Sequence, residues 1–147
     1  MSKKKKYGQA MKWYRFERWL YVHHLSIFSK FVFRLMQLFL GCTIPPSVEI
    51  AKNVTIPHFH GIVIHHECKI GEGTFIYQNV TLGGRNGKPG PTIGNNCLIG
   101  AGAVILGNVR IGNNCNVGAN AVVITDVPDD CTVVGVPAKI VKRKNDL

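Results

Sequence analysis

The stretch IGNNCLIGAGAVILGNVRIGNNCNVGANAVVITDV, residues 93–127, decides the fold. An aliphatic residue returns at every sixth position without a slip: Ile93, Ile99, Ile105, Ile111, Val117 and Val123. Four residues after each comes a small or β-branched side chain, namely Cys97, Ala103, Val109, Cys115, Ala121 and Val127. A period of six fits neither the 3.6 of a helix nor the simple alternation of a strand, so the chain must turn a corner once per hexad. Three short strands then close one triangular coil. Stacked coils bury the repeating residue and leave backbone groups to pair between coils as in any parallel sheet. Glycine and asparagine suit the corners, Asn95, Asn96, Asn113 and Asn114 among them, because corners need backbone angles that β-branched residues resist. The prediction is a mainly β chain, a left-handed parallel β-helix.

Working outward, the same hexad begins after Thr43 with Ile44, Ile50 and Ile56, slips by two residues through Phe59 to Val63, and returns at Ile64, Ile70, Ile76 and Leu82. A larger interruption, Gly83 to Thr92, adds five residues before Ile93. Interruptions of a solenoid leave it as loops, and loops on a rigid repeat are where sites are usually built. The two lie some 25 positions apart, so they approach each other only after about a coil or across a subunit boundary. Val134 to Lys139 closes the repeat. The predicted organisation is a helical region at 1–41, a β-helix at 42–141 and a basic tail at 142–147.

Net charge is +10 over 147 residues, but residues 1–40 carry nine Lys or Arg against Glu17 alone, and the remainder carries nine against seven acids. The repeat is therefore nearly neutral, which argues against nucleic acid as its partner. Ser2 to Lys6 reads as a solvated basic tail. Met11 to His24 reads as a helix rich in aromatics and arginine. A second helix follows, with Ser26 as its cap, Phe28, Phe31, Val32, Leu35, Leu38 and Phe39 on one face, and Gly41 as its stop. These helices are expected to cover the first coil or to pack on neighbouring subunits. The alternative is docking on a membrane surface, since Trp and Phe mixed with Arg and Lys is the composition of an interfacial helix too short and too charged to span.

Five cysteines raise disulfides and metals as options, but Cys42, Cys68, Cys97 and Cys115 fall in the interior phase of their hexads and no C-x-x-C pair occurs. They read as core residues of a reduced, cytoplasmic protein, one that lacks a secretory signal and whose basic helices have the inner membrane surface as an alternative address. Cys131, outside the regular run, is the one thiol left for a covalent intermediate.

His58, His60, His65 and His66 cluster in the first interruption. A neutral imidazole can accept a proton near neutral pH, so a general base is the leading use. A metal site is the rival, favoured by the His60–His65 spacing but short of ligands for a zinc set. Corner histidines without a role are the third reading.

The segments IPHFHGIVI at 56–64, VTLGG at 80–84, IGAGAVILGN at 99–108 and GVPAKIV at 135–141 together resemble the serine acetyltransferases and their shorter relatives in capsule, exopolysaccharide and O-antigen biosynthesis. The resemblance covers essentially residues 42–141, and the short N-terminal region looks like that of the polysaccharide relatives. It implies an acetyl-CoA-dependent O-acetyltransferase, a homotrimer with each active site between two subunits, needing no metal. The family's catalytic histidine falls on His58. Backbone near Gly84, Ala101 and Ala119 matches contacts to the pantetheine arm and thioester, and Lys139 with the basic tail matches the CoA phosphates.

Departures fall at the acceptor side. The carboxylate that usually orients the imidazole is Thr43 here, the Asp before the histidine is Pro57, and the loop that carries an Arg-His pair reads RNGKPG from Arg85 to Gly90. These changes point to a sugar or polysaccharide hydroxyl rather than free serine as acceptor, with Thr43, Pro57 and Arg85 at the acceptor. Glu49, Glu67 or a neighbouring subunit is left to supply the missing acid. L-serine O-acetylation remains the alternative. A zinc hydratase of the carbonic anhydrase type and an inactive scaffold are further rivals.

Overall fold

The computed structural model describes residues 8–143. Two helices lead into five triangular coils whose strands stack into three parallel sheets, the left-handed parallel β-helix that the hexad predicts. The first side of the prism is β2 (Val63–Ile64), β5 (Thr81–Gly83), β8 (Val104–Leu106) and β11 (Val122–Val123), with Thr43 paired to Val63 below them. The second side is β1 (Glu49–Ile50), β3 (Lys69–Ile70), β6 (Thr92–Ile93) and β9 (Arg110–Ile111). The third is β4 (Phe75–Ile76), β7 (Leu98–Ile99), β10 (Asn116–Val117) and β12 (Cys131–Val134), which β13 (Lys139–Arg143) extends as an antiparallel edge. The predicted Ser2–Lys6 tail and the end of the tail at 142–147 lie outside the described residues.

Register shows how each slip is absorbed. Thr43 pairs twenty residues on with Val63, and Thr81 pairs twenty-three on with Val104, against eighteen for Val63–Thr81 and Val104–Val122. The extra two and five residues are the two interruptions. A third irregularity escaped the pattern: Ile93 pairs eighteen on with Ile111, but Ile111 pairs sixteen on with Val127. The fifth coil is thus two residues short. Val127 consequently takes the aliphatic position above Ile111 and not the small position predicted for it, and Cys131 moves into the interior one coil above Cys115.

The coil core is continuous. Ile56, Ile76, Ile99, Val117 and Val133 line its third side, all no more than 1 % exposed. Corners stack equally well: Asn113 Oδ1 accepts from the Asn95 amide at 2.9 Å and Asn95 Oδ1 from the Glu72 amide at 2.8 Å, so each coil satisfies the turn of its neighbour. Gly102, at φ +70°, leaves the space that the Asn120 side chain occupies one coil above it.

The first coil has no coil beneath it, and α1 (Gln9–Val22) closes that end. Met11 and Tyr14 are buried, Tyr14 Oη donates to Val48 O at 2.6 Å, and Arg18 Nη1 donates to Pro46 O at 2.7 Å and Val48 O at 3.0 Å. These donors satisfy carbonyls that a further coil would otherwise take. Glu17 is also fully buried, with neither carboxylate oxygen hydrogen-bonded among the described residues, and desolvation pushes its pKa up to about 8.

In α2 (Ser26–Leu35) Ser26 is the first helical residue, without a cap hydrogen bond, and Leu25 precedes it. A π-helical turn at Met36–Leu40 follows, and Gly41 at φ +58° stops it as expected. Of the predicted apolar face Val32 is buried and Leu35 half-buried, beside Ser29 and Met36, whereas Phe28, Phe31, Leu38 and Phe39 project outward.

Candidate functional site

His58 sits in the two-residue slip, on the corner joining the third side to the first, and its ring is exposed. Straight above this corner runs a column of one residue per coil. Asn79 N donates to His60 O at 3.0 Å, Gly102 N to Gln78 O at 2.9 Å and Asn120 N to Ala101 O at 2.9 Å, which stacks His60, Gln78, Ala101 and Ala119 in order. With coils about 4.8 Å apart, Ala101 lies roughly 10 Å and Ala119 roughly 14 Å along the axis from His60. Three of the sequence-predicted residues, His58, Ala101 and Ala119, therefore share one edge of the prism. Lys139 is exposed on β13 near the far end of that edge, where Ala138 N donates to Val122 O at 2.8 Å.

Gly84 and Arg85 lie elsewhere, on the corner joining the first side to the second. Arg85 and Lys88 exchange backbone hydrogen bonds of 3.3 and 3.0 Å across Asn86 and Gly87, both at positive φ, so the loop ends in a tight hairpin. A Cβ on Gly84 would lie 2.7 Å from Lys88 O and 3.3 Å from His65 Nε2, so only glycine lets the hairpin fold back there. Arg85, Asn86 and Lys88 overhang a 390 Å³ hollow with Gly107 and Asn108 on its floor. The two interruptions thus flank opposite edges of the first side. About four residues of extended chain, roughly 13 Å, separate those edges.

Thr43, which the resemblance matched to an orienting carboxylate, accepts a hydrogen bond at Oγ1 from Gln37 Nε2 at 3.4 Å. Sequence reasoning missed Gln37, which was visible only as a polar residue of the second helix. Pro57 is exposed beside His58. The two acids considered as substitutes are committed elsewhere: Glu49 pairs with Lys69 at 3.3 Å, and Glu67 lies 3.9 Å from His65 and 4.0 Å from His66. His58 makes no hydrogen bond or ion pair with the described residues. Gln78, one coil above His60, keeps Oε1 buried without a donor and adds a polar group to the same edge.

The His60–His65 pairing that spacing favoured for a metal does not form within one chain, because those residues occupy opposite edges of the first side. His65, His66 and Glu67 instead bring three donor atoms within 4.8 Å of one another. All five cysteines are free and buried. Desolvation pushes the thiols of Cys42 and Cys97 up to about 11 and that of Cys68 up to about 12, and it raises Cys115 as well. Cys131, expected to be the exception, is 2 % exposed.

Coils, corners and an edge of backbone running above an exposed imidazole define a hexapeptide-repeat β-helix protein. Residues 90–125 match the family described as bacterial transferase hexapeptide (six repeats). The chain is 48% identical over 136 residues to a serine acetyltransferase of Synechocystis, and 41% identical over 138 residues to that of Synechococcus elongatus. Those matches cover 90% and 92% of this chain and 55% and 57% of the relatives. The crystal structure of Neisseria gonorrhoeae serine acetyltransferase in complex with serine superposes with a TM-score of 0.85 at 37% identity, over 90% of this chain and 55% of that one. Over nine tenths of its length the chain is similar to serine acetyltransferases, and it carries the bacterial transferase hexapeptide repeat. It spans a little over half the length of these relatives.

Proposed function

We propose that this chain transfers an acetyl group from acetyl-CoA to a hydroxyl, with His58 as general base. The observation that carries the reading is the shared edge, where exposed His58 on the first coil and the backbone of Ala101 and Ala119 on the third and fourth line one corner of the prism. His58 takes the hydroxyl proton as the oxygen attacks the thioester carbonyl, and returns it to the departing CoA thiolate. Small residues let backbone N–H groups approach the pantetheine and the developing oxyanion. Lys139 at the far end is assigned to the CoA phosphates. Because Gly84 and Arg85 occupy the opposite edge of the first side, a homotrimer that seats the hairpin of one copy against the histidine edge of the next would complete the site.

L-serine is the acceptor that the relatives favour, since those described above are named serine acetyltransferases and one was crystallised with serine. A second reading, a hydroxyl on a sugar or polysaccharide precursor, keeps one specific support. Thr43 binds Gln37 where a carboxylate would meet the imidazole, and the hairpin carries Arg85 and Lys88 but no histidine. CoA release from acetyl-CoA with L-serine as sole acceptor, against the no-acceptor background, separates the two. Saturable turnover supports serine. Background release from protein that binds acetyl-CoA turns the search to saccharides, and failure to bind acetyl-CoA removes both.

A further inference from the structure

We infer that the outward face of α2 and the π-helical turn is a docking surface for an anionic phospholipid bilayer. Ile27, Phe28, Phe31, Leu38 and Phe39 are between 62 and 79 % exposed, on a helix whose inward face needs only Ser29, Val32 and Met36. Ile27, Phe31 and Leu38 are spaced i, i+4, i+11, so they form one stripe on the side opposite the buried Ser29, Val32 and Met36. Single exposed apolar residues are ordinary, but a contiguous stripe of aromatic and aliphatic side chains marks a binding surface. An apolar crevice of 150 Å³, walled by Trp13, Leu35 and Phe39, continues it towards α1.

Charge selects the occupant. Lys30 and Arg34 are exposed beside the stripe, and residues 1–40 hold nine basic side chains against one acid, the buried Glu17. A second copy would bring this positive surface against its own like, at a cost in repulsion. An anionic headgroup layer supplies the opposite sign, while the Phe and Leu side chains enter the boundary between headgroups and acyl chains. Among the described residues no helix is long and apolar enough to cross a membrane, so the helix lies in the interface plane.

The test is flotation of the full chain with vesicles of phosphatidylcholine alone and with about one third phosphatidylglycerol. Binding to the anionic vesicles, at least tenfold above the neutral ones and weakened by salt, is expected. Phe31→Ser with Leu38→Ser should abolish it, and Lys30→Glu with Arg34→Glu should reduce it tenfold or more. Unchanged circular dichroism and thermal midpoint would show that these surface variants fold. Absence of flotation by the wild type overturns the inference. So does equal flotation of the Ser variant, which would assign binding to the N-terminal lysines alone. Loss of oligomer without loss of vesicle binding, read by sedimentation, would also overturn it and make the face a contact between copies.

Discussion

The coils and the helical cap solve opposite problems with opposite residues. In the coils the interior is filled by columns of aliphatic and small side chains, and Asn corners such as those at Asn95 and Asn113 bond to the neighbouring coil. The cap must close one open end of that stack. It does so with Tyr14 and Arg18 on first-coil carbonyls, buries an unpaired Glu17, and turns its largest apolar side chains outward. The repeat is therefore expected to hold more of the stability than the outward face of the cap.

That contrast breaks first at the centre of the coils. Ile99→Ala, stacked between Ile76 and Val117, should cost on the order of 4 kcal/mol, whereas Phe31→Ala on the cap should stay within about 0.5 kcal/mol. Paired urea melts check both, and equal losses would dissolve the distinction.

Glu17 sharpens the comparison through pH. Its carboxyl stays neutral in the fold to about pH 8 but ionises in the unfolded chain above its ordinary value of 4.5. Its contribution is therefore intact below pH 4.5, falls as pH rises towards 8 by at most about 1.4 kcal/mol per unit, and is flat beyond. Glu17→Gln should match the wild type at the acid end and exceed it at pH 8. Parallel stability profiles for the two would remove Glu17 as the source.

On the histidine edge the expected loss is in rate rather than stability. His58→Ala should lower turnover at least about a hundredfold while leaving the melting midpoint in place, because the ring is exposed and holds nothing. Near-native CoA release would take His58 out of the reaction. A modest loss is expected at the junction of the two regions: Tyr14→Phe removes one hydrogen bond to Val48 O and should cost about 1 kcal/mol, measured by the same urea melts.

The hexad was legible because every coil repeats the same local demand: an aliphatic residue inward, a small one beside it, and a corner that tolerates positive φ. From that rule alone came the β-helix, its two insertions and the interior phase of Cys42, Cys68, Cys97 and Cys115. His58 was legible only through its surroundings in IPHFHGIVI. What the sequence did not carry is set by pairing between distant segments. The short fifth coil, which re-phases Val127 and Cys131, emerges only when Ile111 and Val127 are in register. The same holds for the edges of the prism, since whether His58, Ala101 and Arg85 share a corner depends on how many residues each slip inserts and which turn absorbs them. Helical spacing likewise placed Phe31 and Leu38 on one side of α2, but a helix with two usable faces is oriented by its neighbour. Here α2 packs on α1 with the small Ser29 and Val32 buried, and the aromatic stripe is left to the outside.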